Sequence, residues 1–276
     1  MTTTLRPLST GELLDRTFFL YRSHFALFVG IFAIPYLAVL AYQCIGISFQ
    51  SPTPQLAQAL LNLAWAMGAL LVSLVASAAA QAATIIAVSH VYLDRPASVS
   101  DSFSRVKGEI LPVIGLSLVV GIAVFFGLIL LIVPGVLLGL MWALAVPAKV
   151  LENKGVFDAM SRSSELTQGS RGRIFVVGLL IVALSFGVSA VLQSPVFIVA
   201  GLKAFKGGTQ ALGTGWQVAS QVATFISQCL VGPVGTIAFS LVYYDQRVRK
   251  EAFDLQLMMT TLDGTALPST APQIGA

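Results

Sequence analysis

The chain is poor in charge. Only 10% of its 276 residues are Asp, Glu, Lys or Arg, against about 25% in soluble domains. None of the four occurs from Ser23 to Leu93, from Ile110 to Ala148, from Ile174 to Leu202 or from Gly207 to Tyr244. With 56% of residues hydrophobic, runs of this length exclude a water-soluble core. Cysteine and histidine are scarce too. Cys44 and Cys229 fall inside apolar runs, and His24 and His90 near the ends of one. Two of each without a paired acid give neither a disulfide framework nor a metal site. No metal and no cofactor is expected. A short early apolar core is also missing. The first long run begins near Phe25 and exceeds twenty residues, too late and too long for a signal peptide core of about 7–15, and it predicts a retained first span.

What is present is hydrocarbon-compatible helix. A span takes about 20 apolar residues, so the first two charge-free runs hold two helices each and the last two hold one each. The predicted spans are 26–49, 60–91, 110–133, 135–150, 174–200 and 216–244. The expected fold is an all-α polytopic membrane protein. Its six transmembrane helices would form three helical hairpins, each preceded by a cytoplasmic interfacial amphipathic helix. Residues 1–262 would make one integral membrane domain, and 263–276, rich in small residues and Pro, a disordered tail.

The charges follow topology. Fourteen of the sixteen Lys and Arg lie in the N-terminal segment, the second and fourth connections and the tail; only Lys203 and Lys206 lie on the other side. All twelve acids lie with the majority. The positive-inside rule then predicts cytoplasmic termini in a bacterial inner membrane. The net charge of +4 is a product of this distribution and not a nucleic-acid signal.

Three interfacial helices are predicted from pattern. Ser9 to Glu12 has capping-box spacing, followed by Leu14, Phe18, Tyr21 and Phe25 on one face. Ser98 to Asp101 repeats the spacing, with Val99, Phe103, Val106 and Ile110 following. Residues 155–169 fit a third, with Val156, Met160 and Ser163 on a less apolar face and Gly169 as its stop. Residues 248–262 suit a fourth. The ends of the second and sixth spans, Tyr92-Leu93-Asp94 and Tyr243-Tyr244-Asp245, match each other, and Val150-Leu151-Glu152 is a looser copy. This suggests a threefold internal repeat. The small-residue run Ala76 to Ala83 predicts that the second span forms the centre of the bundle. Gly135 and Gly139 have the spacing of a helix contact face.

The spans offer little chemistry. None has a charged residue in its interior, whereas ion-coupled pumps and proton relays use one. No nucleophile elbow and no glycine-rich phosphate loop occurs. Asp94, Glu152 and Asp245 sit at the membrane edge, where pairing with Arg or backbone is expected. The fifth and sixth spans are expected to break at Pro195 and Pro233, and interrupted helices are one pointer to transporter sites. Gln193 and Gln228 lie close to those positions. The charged island 152–173 is the predicted docking surface, through Asp158, Arg162, Glu165, Arg171 and Arg173.

Three stretches carry a resemblance. They are Arg6 to Arg22, with Glu12, Asp15 and Arg16; Val146 to Gly169; and Tyr243 to Leu255, with Asp245, Arg247, Arg249 and Asp254. Together they resemble a bacterial family of multi-pass membrane proteins. That family is similar to the integral membrane domain that precedes the catalytic barrel in some glycerophosphodiester phosphodiesterases. The resemblance implies a membrane domain without the esterase activity, because a barrel takes about 250 residues of its own. The expected function is a non-catalytic scaffold or partner-binding module that influences membrane or lipid state. Its partners would be membrane lipids and a cytoplasmic or membrane protein. The alternatives are a small-solute or lipid transporter, and the membrane subunit of a separately encoded lipid-modifying enzyme.

Overall fold

The computed structural model describes residues 8–48, 56–92, 95–205 and 213–251. Among these residues there are ten helices and no strand. They are α1 (Thr10–Ser23), α2 (Phe25–Ser48), α3 (Leu56–Tyr92), α4 (Val99–Val106), α5 (Ile110–Leu130), α6 (Ile132–Met141), α7 (Ala145–Glu152), α8 (Val156–Thr167), α9 (Arg171–Phe205) and α10 (Thr214–Glu251). Six segments are long and apolar enough to cross a membrane: α2, α3, α5, α6 continued by α7, α9 and α10. Large apolar side chains such as Leu37, Leu63, Phe126, Phe186 and Phe197 point outward along them, as they would against lipid. The tail 263–276, Asp94, Asp254, Lys206, the turn at 51–55 and most of the fourth interfacial helix lie outside the described residues. Val248 to Glu251 simply continue α10.

Helices adjacent in the chain pack together, α2 on α3, α5 on α6 and α9 on α10. The interior belongs mainly to α10, which also packs on α1, α2, α3, α7 and α8. The expected centre, α3, is buried only over its second half, from Ala76 to Val88. Hydropathy explains the difference. The two least apolar spans, with mean hydropathy 1.7, are 56% and 33% buried, while the four at 2.0 to 2.8 are 11–17% buried. Lipid already solvates apolar surface, so association in a bilayer favours the helix with small and polar residues.

α5 and α6 approach each other closely at the backbone. A Cβ on Gly127 would lie 2.9 Å from the Gly135 Cα, and one on Gly135 would lie 2.5 Å from the Leu128 nitrogen. Gly139 meets only the Val124 side chain, at 3.9 Å, so the contact lies at Gly135 and does not continue to Gly139. The turn falls at Leu131, whose extended backbone separates the two helices, and not at Pro134.

The predicted helix caps are met unevenly. Ser9 and Glu12 form the reciprocal capping box. Ser98 accepts from the Asp101 amide, but the Asp101 carboxylate turns to Arg105. On α1 the buried face is Leu13, Thr17 and Leu20 against α10. Phe18 and Phe25, on the apolar stripe read from the sequence, are exposed. The helix carries two apolar stripes, and the aliphatic one faces the protein. Gly169, at φ +81°, stops α8 as expected.

Candidate functional site

The charged groups converge at one end of the bundle, where they bond to one another. Asp245 is the hub, with its side chain 1% exposed. Its Oδ1 accepts from the Leu8 amide at 2.7 Å. Its Oδ2 accepts from Arg173 at 2.6 Å and from Arg249 at 2.8 Å. Arg249 also donates to the Leu8 carbonyl at 2.6 Å. One carboxylate thus joins the N-terminal arm, the start of α9 and the end of α10. A buried carboxylate needs this full set of partners.

A second cluster surrounds Glu152, the last residue of α7. It accepts from the Tyr243 hydroxyl at 2.5 Å and from the Arg162 Nε at 3.0 Å, and pairs with Lys154 at 3.3 Å. Arg162 also contacts Glu251, which pairs with Arg247 at 3.0 Å. Burial opposes the Arg162 charge, but its bonds to Glu152 and Glu251 outweigh that and hold the guanidinium above its ordinary range. Lys250 donates to the carbonyls of Glu165 and Gln168, at 2.6 and 2.7 Å. A cation there satisfies groups left over at the end of α8 and meets its negative dipole end. Lys149 pairs with Glu109 at 2.5 Å and ties α7 to the start of α5.

The fourth span is interrupted just inside this end. Between α6 and α7, residues 142–144 leave the helix. Pro147 is the cause, since it has no N–H for the Ala143 carbonyl and its ring crowds that group. Two hydroxyls one turn apart on α8 repair the break. Ser163 donates to the Met141 carbonyl at 2.8 Å and accepts from the Leu144 amide at 3.1 Å; Thr167 donates to the same carbonyl at 3.3 Å. Both are fully buried. The charged island is therefore wedged into the bundle by its polar side.

Residues 116–261, just over half of the chain, match the family model described as the membrane domain of glycerophosphoryl diester phosphodiesterase. The chain belongs to that family. The match takes in the second and third resembling stretches, at 146–169 and 243–255, but not the first. It is to the membrane domain of the phosphodiesterase and not to its catalytic domain. With the six apolar segments it makes this a multi-pass membrane protein. No curated protein and no solved structure matches.

In this phosphodiesterase membrane domain the predicted docking residues divide into two groups. Arg162 and Arg173 are committed inward, to Glu152 and Glu251 and to Asp245. Arg171 is half-buried and has no ion pair among the described residues. Asp158 and Glu165 are exposed, on the face of α8 that also carries exposed Phe157. Of the motif residues, Glu12 caps α1, Arg16 lies 5.5 Å from the Phe19 ring centre, and Asp15 is exposed. Arg247 pairs with Glu251 and lies 5.9 Å from the Tyr243 ring centre.

The expected breaks at Pro195 and Pro233 are absent. Both prolines sit inside continuous helices. The Val191 carbonyl, deprived of its partner by Pro195, accepts from the Ser194 hydroxyl at 2.8 Å. Pro233 is buried at the centre of the bundle, where neighbouring helices hold α10 in shape. Gln193 bonds to Thr224 and Ser220 at 2.9 and 3.1 Å, so it does not meet Gln228 in one site. The break that does exist had a local signal, Pro147 within a charge-free run, together with the hydroxyl pair Ser163 and Thr167.

Proposed function

We propose that the chain is a non-catalytic membrane module that holds a soluble lipid-acting enzyme, of the phosphodiesterase kind named in the family description, against the cytoplasmic face of a bacterial inner membrane. The observation that carries this is that most of the charge at this end is turned inward. Asp245 pairs with Arg173 and Arg249, and Glu152 and Glu251 with Arg162, which ties the N-terminal arm, α7, α8, α9 and α10 together. Outward on α8 are Phe157, 74% exposed, and beside it Asp158, Ser161 and Glu165, the last 3.7 Å from Arg162. An aromatic anchor flanked by acids suits a partner with a basic rim around an apolar pocket. Sidedness follows from the excess of Lys and Arg at this end. Three hairpins, each led by an interfacial helix, are the arrangement we assign to the domain, with α1, α4 and α8 lying along the membrane surface. The outward aromatics of α1 suit such a position.

Transport through broken fifth and sixth spans loses its premise, since both helices are continuous. The test is recovery of co-purifying proteins in mild detergent, quantified by mass spectrometry. The triple variant Phe157→Ala, Asp158→Lys, Glu165→Lys is expected to insert normally and to lose a soluble lipid-acting enzyme that the wild type retains. Equal recovery from both would reject this face as the docking surface. A periplasmic reporter active at the C-terminus would reject the sidedness.

A further inference from the structure

Midway through the bundle, α2, α3, α9, α10 and the break between α6 and α7 enclose a partly open cavity of about 330 Å³. Its polar lining is Tyr36, Gln81, Ser185, Ser189, Ser227, Gln228 and Thr236, and among the described residues no Asp, Glu, Lys or Arg lines it. On α10, Thr236 and Gln228 lie nine and seventeen residues before Asp245. At 1.5 Å per residue this puts the cavity roughly 14–26 Å from the charged end, within a hydrocarbon layer about 30 Å thick.

The hydrogen bonds there are incomplete in a specific way. Ser185 and Thr236 donate to carbonyls of their own helices, at 2.8 and 3.2 Å, and Ser189 meets Ser227 at 2.8 Å. Their remaining lone pairs are free to accept. Among the described residues neither Gln81 nor Gln228 has a hydrogen-bond partner, nor does the hydroxyl of Tyr36 on the same wall. Gln81 and Tyr36 are half-buried and Gln228 is exposed; at bilayer depth, away from water, such groups are costly unless something polar reaches them. The break adds to this, because Ala143, whose carbonyl Pro147 cannot serve, also lines the cavity.

We infer that this cavity is a binding site for an uncharged, hydroxyl-bearing headgroup, delivered by a neutral lipid from within the bilayer. Three features select that class. The walls offer donors and acceptors but no counter-charge, so a phosphate or ammonium would be buried uncompensated. The volume is near the lower bound of ligand pockets, about 300 Å³, and holds on the order of ten waters. That suits a small polyol head with its first carbons. The cavity is partly open and α9, one of its walls, is held to the bundle mainly through α10, so a lipid would enter past α9 from the side. Phe32, Ile85 and Phe239 on the same walls take the apolar stem. The site is independent of the docking face, which lies at the charged end.

The experiment is native mass spectrometry of the full chain in mild detergent with 1,2-dioleoylglycerol, dioleoylphosphatidate or glycerol added. The wild type is expected to retain dioleoylglycerol at least about tenfold better than dioleoylphosphatidate at equal concentration. The double variant Gln81→Leu, Gln228→Leu removes the amides and should lower retention about tenfold. Ser185→Phe fills the space from α9 and should do the same, so the outcome does not depend on one variant folding. Retention of glycerol alone, lost in the same variants, would support the headgroup chemistry with a free polyol as its source. Equal retention of the two lipids, or undiminished retention in both variants, would overturn the assignment.

Discussion

Replacing Asp245 by Asn tests whether the charged end is held by its hub. The substitution keeps the shape and removes the charge. Arg173, 19% exposed, then loses its counter-ion, and Arg249, 39% exposed, loses one of two partners. Removing one member of a buried pair costs about 3–5 kcal/mol. Arg249 can turn towards water, which places the expected loss near the lower figure, at about 3 kcal/mol. For a domain of roughly 150–250 residues each kcal/mol moves Tm by about 2–4 °C, so Asp245→Asn should lower Tm by roughly 6–12 °C. Unfolding in detergent can be followed with a thiol-reactive fluorogenic dye in a Cys44→Ser background, because Cys44 is a partly exposed free thiol whereas Cys229 is 5% exposed and is uncovered when α10 comes away. The control is Asp101→Asn. Asp101 pairs with Arg105 on the same helix, with side chains 38% and 56% exposed, and an exposed pair of that kind contributes about 0.5 kcal/mol or less. A shift for Asp245→Asn no larger than that for Asp101→Asn would refute the argument that the hub holds the end together.

Three further outcomes follow from the geometry. Ser163→Ala leaves the buried Leu144 amide without its acceptor and the Met141 carbonyl with Thr167 alone, and should cost about 1–3 kcal/mol, read in the same assay; Thr167→Val should cost less, because Ser163 still serves both groups. Gly135→Val drives a side chain into the α5 backbone at Leu128, so the variant should give little monodisperse protein on size-exclusion chromatography, whereas Gly139→Ala, with only 3.9 Å contacts, should behave as wild type. Tyr243→Phe removes one bond to Glu152 but leaves Arg162 and Lys154 in place, and its loss should stay within about 1–2 kcal/mol; a larger fall would assign the tyrosine a role beyond that bond.

The spans were legible because absence of charge over tens of residues is a one-dimensional signal. So were the Ser9–Glu12 cap and the Gly169 stop, each settled within a few residues. The centre of the bundle was not. Ala76 to Ala83 announces a close-packing run on α3, but burial of α10 depends on which helices surround it. The better guide was its lower hydropathy, carried by residues such as Ser227, Gln228 and Ser240. Partner assignment was also out of reach. Spacing cannot reveal that Arg173 meets Asp245, 72 residues away, or that Ser163 reaches back to Met141. Proline misled for a related reason. Pro195 and Pro233 look as disruptive as Pro147, yet Ser194 serves the orphaned carbonyl in one case and dense packing holds the other. The cavity draws its walls from five separate regions of the chain, so no single stretch could have announced it.

The clasp of Leu8 by Asp245 and Arg249 has a consequence for biogenesis. The two halves of the clasp are 237 residues apart. At about 5–20 residues per second, the ribosome takes roughly 12–50 s after making Leu8 to make Asp245. During that interval α1 has no α10 to lie against, and its Leu13, Thr17 and Leu20 stripe has only lipid headgroups or a chaperone to cover it. A chain stalled before α10 would display that stripe permanently, together with an unneutralised Arg173. The first helix made is therefore the last to be secured.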